Sequence, residues 1–213
     1  MRALPVSGAN EKLVMRIKSA ERNRDAFTLL ELIVVIAIIV VLAGLLFPAV
    51  QSILDRAKKV QAKNDLTQIV TAVNAFYTEY GRYPTTVTGA DASYGVGFTS
   101  SKVLFDELRA KTATLNTRQI VFISPPEDGS QANPKGKIGS DGQFHDPWGT
   151  AYGISIDADY DNQVPNRYGN NKGAGPDPIR QGVVGWSLGK DQTKGTKNGS
   201  SDFTGSDDVI SWQ

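Results

Sequence analysis

Residues 32–47 read LIVVIAIIVVLAGLLF, sixteen consecutive positions without a polar side chain. Extended to residues 27–50, the segment holds 24 positions, interrupted only by Thr28, Glu31 and Pro48. As an α-helix rising ~1.5 Å per residue it would run roughly 36 Å, more than the ~30 Å hydrocarbon core of a bilayer. A soluble helix apolar on every side would need far more protein around it than 213 residues supply. A membrane span is therefore the first expectation. A cleavable secretory signal has a shorter apolar core followed by small residues; here the run flows directly into more helix, and cleavage on its far side is not expected.

Charge sets the orientation. Residues 1–26 carry six basic side chains against three acidic ones, and the remaining chain carries 17 against 19. A basic flank before a span keeps the N-terminus cytoplasmic, so the C-terminal body should be exported. The net charge of +1 carries no signal for a nucleic-acid partner. The chain has no cysteine, which excludes disulfides, thiolate metal sites and cysteine nucleophiles.

Glu31 is the anomaly of the apolar segment. A carboxylate entering a membrane is costly unless it meets a partner or a helix N-terminus. Both a position at the helix start and a partner from a neighbouring subunit would answer that cost. Further along, Leu66, Ile69, Val70, Val73, Phe76, Tyr77 and Tyr80 follow the spacing of one helical face. Gly81 and Pro84 then stop the pattern, predicting one helix over about 28–80, roughly 80 Å long. Pro48 should loosen it by removing a backbone hydrogen bond. Residues 51–65 look too charged to be buried, forming a solvated face or lining a groove.

The body after the helix reads as a small α+β unit. Asp146-Pro147-Trp148-Gly149 is a turn, with Trp148 as a core anchor, and Tyr152, Ile154 and Ile156 alternate as a strand. Residues 183–188 read as another strand and residues 209–212 as a short last one. Residues 103–128 suggest a short helix followed by a short strand or loop. Residues 162–182 and 192–206, rich in Gly, Asn, Lys and Ser, look like surface loops.

The string Ala26-Phe27-Thr28-Leu29-Leu30-Glu31-Leu32 resembles the processing site of type IV pilins and type II secretion pseudopilins. The resemblance implies peptidase cleavage between Ala26 and Phe27, methylation of the new amine on Phe27, and pairing of Glu31 with the amine of an adjacent subunit. Pro48 falls where members of that family often carry a helix-loosening proline; Ala26 departs from the family's preferred glycine. Arg82-Tyr83-Pro84-Thr85-Thr86 and the Asp146 turn resemble the major pseudopilin of type II secretion. The implied architecture is the pilin fold: a long N-terminal transmembrane and amphipathic α-helix packed on a small antiparallel β-sheet head. Its divisions would be a cytoplasmic leader (1–26), a transmembrane half-helix (27–50), an amphipathic half-helix (51–83) and a periplasmic head (84–213).

Two acidic groups are metal candidates. The C-terminal end resembles the calcium site of the major pseudopilin, which implies Asp191, Asp207 and Asp208 as side-chain ligands, Leu188 as a carbonyl donor, and a structural calcium. Calcium suits such a set because it takes six to eight oxygens in irregular geometry. Asp157, Asp159 and Asp161 alternate like the opening of a calcium loop, but position six is Asn162 and position twelve Tyr168, so an EF-hand is excluded and a solvated acidic turn is the competing reading. The sole histidine, His145, could hold zinc only with carboxylate help. No nucleophile elbow, P-loop or dinucleotide fingerprint is present, and no enzymatic activity is expected.

The function these readings imply is a subunit of a periplasmic pseudopilus serving type II secretion. Its partners would be further copies in a homo-oligomeric filament, a prepilin peptidase and methyltransferase, an inner-membrane assembly platform with its secretion ATPase, and minor pseudopilins, with no nucleic acid. It would start as a single-pass inner-membrane protein with its head in the periplasm. A type IV pilus subunit for adhesion, motility or DNA uptake is the near alternative, and a signal-anchored periplasmic binding protein or enzyme the distant one.

Overall fold

The computed structural model describes residues 27–169, 173–195 and 202–213. The chain is α+β: a helix α1 (Leu29–Tyr80, 52 residues), then β1 (Ala92–Tyr94), α2 (Lys102–Leu108), β2 (Gly153–Ile156), β3 (Val183–Ser187) and β4 (Val209–Ile210). It divides into two compact units at Phe47 and Pro48.

Within the first unit, the described part of α1 carries its apolar side chains outward all round, with Leu30 71%, Ile36 51% and Leu45 72% exposed. This helix is long and apolar enough to cross a membrane.

In the second unit, the apolar face read from the sequence is the one that packs. Leu66, Ile69, Val73 and Phe76 are fully buried, Val70 and Tyr80 sit at the margin of the core, and Tyr77 stays exposed while stacking on Tyr83 at 4.7 Å. The helix lies close against the sheet: a Cβ added at Gly185 would stand 3.0 Å from Leu66 Cδ2. Lacking a side chain there, β3 lets the helix approach.

The sheet is antiparallel in the order β1-β2-β3-β4, pairing Ala92 with Ile156, Gly153 with Trp186, and Trp186 with Ile210. β2 and β3 arise where expected, β4 is shorter than expected, and β1 is an addition. Every residue of β2 is buried, not only Ile154 and Ile156, because both sheet faces are covered. Ser155 satisfies its hydroxyl against Ser93 Oγ at 2.8 Å. Trp148 is buried in the main core. The segment after α2 is a loop, hung from α2 by the N–H groups of Phe122 and Ile123 on the Leu108 carbonyl. Buried Glu107 ties that loop down further, accepting from the N–H groups of Leu115 (3.0 Å) and Asn116 (2.7 Å).

One expectation is corrected. The stretch 51–65 was expected to be too charged for burial, yet Ala62 and Asp65 are buried. Asp65 can be inside because Tyr152 donates to its Oδ2 at 2.8 Å. Burial still pushes its carboxyl above the usual range, with the Tyr152 bond opposing.

Candidate functional site

At the start of α1, Thr28 and Glu31 form a reciprocal cap. Glu31 N–H donates to Thr28 Oγ1 at 3.2 Å, while Thr28 N–H and Oγ1 donate back to Glu31 Oε2 at 3.0 and 2.9 Å. This is the capping-box arrangement of a Thr followed three residues later by Glu. The carboxylate therefore has a local partner at the helix N-terminus, and all the bonds it accepts there fall on one oxygen, Oε2. Phe27, just before the cap, is 80% exposed. Ala26 lies outside the described residues. α1 continues through position 48.

At the other end of the sequence, Asp191, Asp207 and Asp208 each place a carboxylate oxygen within 4.8 Å of the others. The backbone assembles them. Gly189, at φ +65, turns the chain after β3 so that Lys190 and Asp191 donate their N–H groups to Asp207 Oδ2. Asp208, buried beside β4, takes the Tyr168 hydroxyl (2.6 Å) and Gly195 N–H (2.8 Å) on Oδ2. Its Oδ1 is buried with no partner among the described residues. Burial raises the Asp208 carboxyl, and Asp207 beside it adds to the rise, against the bonds from Tyr168, Gly195 and Ser206. An unpartnered buried carboxylate oxygen is costly, and the three carboxylates together could hold a metal ion. Leu188 packs its side chain with Tyr168, Trp186 and Ile210.

The second acidic group differs from the sequence pattern. Asp157 and Asp159 are joined by Asp91, not by Asp161. Asp161 faces Gln163, whose N–H it accepts at 2.8 Å, while Asp157 accepts the N–H groups of Asp161 (3.1 Å) and Asn162 (2.8 Å). Asp91 comes from the register of the first strand pair: with Ala92 opposite Ile156, the residue before β1 meets the residue after β2. Asp91 Oδ1 is buried without a partner among the described residues. Burial, then repulsion from Asp159, Asp157 and Asp161, pushes its carboxyl up to about 6. No signal along the chain connects positions 91 and 157; only strand pairing does.

Sequence reasoning also missed a set of clamps between the charged part of α1 and the C-terminal strand. Lys63 Nζ donates to the carbonyls of Ile210 (2.8 Å), Ser211 (3.3 Å) and Gln213. Lys59 reaches the Ser206 carbonyl at 3.4 Å, and Lys190 pairs with Asp55 at 2.8 Å. The lysines, spaced four apart on one face, fasten the segment that carries Asp207 and Asp208. His145 is buried, with Nδ1 3.2 Å from the Gly149 carbonyl and Nε2 3.1 Å from Asp141 Oδ2. Both nitrogens are engaged in holding the turn, and Asp141 is the one carboxylate bonded to the ring among the described residues.

Residues 22–47 match the prokaryotic N-terminal methylation motif. Over 71 residues, 33% of its length, the chain is 38% identical to the type II secretion system core protein G of Pseudomonas aeruginosa, covering 50% of that protein. Over 72 residues, 34% of its length, it is 36% identical to the core protein G of Aeromonas hydrophila, again covering 50%. A fimbrial protein of Pseudomonas aeruginosa is 33% identical over 83 residues, 39% of this chain and 54% of that protein. The chain thus spans about half the length of the curated relatives it matches. No solved structure matches it at a significant level.

Proposed function

We propose, from the premise that this is a type IV pilin-like chain carrying the N-terminal methylation motif, that it is the structural subunit of a periplasmic pseudopilus serving type II secretion. The role is assembly, not enzymatic catalysis. Cleavage between Ala26 and Phe27 would free an amine on Phe27, and a prepilin methyltransferase would modify it. Glu31 would then receive the amine of an adjacent copy on Oε1, since the intrasubunit bonds occupy Oε2. Drawing a buried carboxylate and ammonium together sets the axial register of neighbouring helices. The exposed apolar surface of residues 29–45 would be covered by lipid first and by other copies afterwards. An assembly platform and its ATPase would supply the work of extraction from the bilayer.

The observation that carries the secretion reading is the carboxylate cluster Asp191, Asp207 and Asp208, with its orphaned buried Oδ1, in a chain without cysteine. The residues fit calcium: Asp208 Oδ1 and the oxygens of Asp191 and Asp207 would hold it, with Leu188 offering its carbonyl. The ion would supply positive charge that ties the loop after β3 to β4 without a disulfide. The likeness to a fimbrial protein supports a second reading, a type IV pilus subunit. Deleting the gene in its own host separates the two. Loss of exported type II substrates with surface pili intact is the expected result; loss of surface pili with secretion intact would establish the pilus reading instead.

A further inference from the structure

We propose that the head carries a binding site for a neutral saccharide in the cleft between the turn after β1 and the Asp146 turn. The cleft has a volume of about 410 Å³, within the ~300–1,000 Å³ typical of small-molecule pockets. Its lining includes Phe98, Asn133, Gln143, His145, Thr150 and Gln192, and among the described residues no acidic, lysine or arginine side chain. The nearest charge, the Arg167 guanidinium, stands at the edge of the cleft and is taken up by the Phe98 ring. A neutral ligand rich in hydroxyls finds groups that both donate and accept.

Two of those groups are free. The side-chain amides of Asn133 and Gln192 are exposed and make no hydrogen bond to any described residue. Gln143 and His145 are spoken for. Gln143 accepts from Ser101 N–H at 3.1 Å and donates to Asp141 at 2.9 Å, and both ring nitrogens of His145 are engaged.

The aromatic side of the cleft is fixed in place. Phe98 is 45% exposed, yet the Arg167 guanidinium carbon lies 4.9 Å from its ring centre and Trp186 meets it edge-on at 5.9 Å. The turn beneath it is rigid: Gly95 N–H donates to the Thr99 carbonyl at 2.8 Å, and Phe98 N–H to the Gly95 carbonyl at 2.9 Å. A Cβ at Gly95 would come 1.8 Å from the Tyr152 backbone carbonyl oxygen, so only glycine lets this turn sit against the sheet. An immobilised, half-exposed ring beside free amides matches the two halves of a pyranose: its C–H face stacks on the aromatic, and its hydroxyl edge meets the polar wall. A ring already held in place loses little entropy on binding.

The test uses the full mature protein in a zwitterionic detergent without a sugar headgroup. Cellobiose, maltose and N,N′-diacetylchitobiose are titrated by calorimetry and saturation-transfer NMR. The expected result is binding of at least one disaccharide with Kd on the order of 1 mM, weakened about tenfold by Phe98→Ala through loss of the stacking face. Gln192→Ala removes an exposed side chain with no intramolecular bond, leaves the fold unchanged, and should weaken binding about threefold. Absence of saturation transfer from all three disaccharides at about ten times that concentration overturns the proposal. So does binding that neither variant changes.

Discussion

The backbone N–H and the hydroxyl of Thr28 both donate to one oxygen of Glu31, Oε2, at 3.0 and 2.9 Å. The carboxylate thereby caps its own helix through Oε2, and the proposed pairing between subunits would use Oε1. Glu31→Ala should remove both roles: membrane insertion persists, and incorporation into sheared filaments falls to background. Thr28→Val removes only the hydroxyl side of the cap, at about 1 kcal/mol of helix N-terminal stability, and should lower filament yield without abolishing it. Equal loss in both variants would mean that capping, not pairing between subunits, is what assembly requires.

The proposed calcium site predicts a dependence on the ion through Asp208 Oδ1. With calcium at about one hundred times its Kd, the head should gain roughly 2.7 kcal/mol, and chelator should reverse the rise in Tm. Asp208→Asn should abolish the calcium-induced shift while leaving the Tm in chelator unchanged or higher, because it removes a buried carboxylate charge. A chelator-independent Tm for the unsubstituted protein would rule out a structural metal.

The Asp91 cluster predicts a pH slope. The Asp91 carboxyl sits at about 6 in the fold, pushed up by burial and by Asp159, Asp157 and Asp161, against 3.8 for an unperturbed aspartate. A folded-state pKa above the unfolded one means that the native protein holds the extra proton, so stability falls as pH rises from about 4 to 6. In chelator, so that no cation neutralises the cluster, stability should fall over that interval by an amount on the order of 1 kcal/mol after solvent screening, read as a lower Tm. Asp91→Asn should flatten the slope and raise Tm at neutral pH.

Lys63 holds the C-terminal strand through the carbonyls of Ile210, Ser211 and Gln213. Burial lowers the pKa of this ammonium, and the carbonyls replace the water it has lost. Lys63→Met keeps the aliphatic stem but leaves those carbonyls without a charged donor, costing about 1–3 kcal/mol. Amide exchange at Val209 and Ile210 should accelerate more than exchange at Ile154, which lies inside the sheet. Uniform acceleration would show that the lysine supports the whole head instead.

The features legible in the sequence are those encoded within one helical turn or one strand. The apolar run of residues 32–47, the position of Glu31 at the helix start, the face of Leu66, Ile69, Val73 and Phe76, and the Asp146 turn each depend on neighbours a few positions away. Periodicity reports them because a helix or strand repeats every 3.6 or two residues. The Asp65 error came from the same habit. A charged stretch is expected to stay unburied, as a solvated face or a groove lining, but one of its carboxylates meets Tyr152, 87 positions later.

By itself, then, the sequence determined a single long helix with an apolar N-terminal part and a one-sided C-terminal part, followed by a small α+β body. Chain-local forces, apolar transfer and helix capping, were sufficient for that. Tertiary structure alone decided which acids meet. Pairing of Ala92 with Ile156 exchanged Asp161 for Asp91, and Gly189 with β4 gathered Asp191, Asp207 and Asp208. It also decided that Lys59 and Lys63 face the C-terminal carbonyls instead of water. These are contacts between residues tens of positions apart, and their energies depend on burial and on distances of a few ångströms, which exist only once the sheet has closed against the helix.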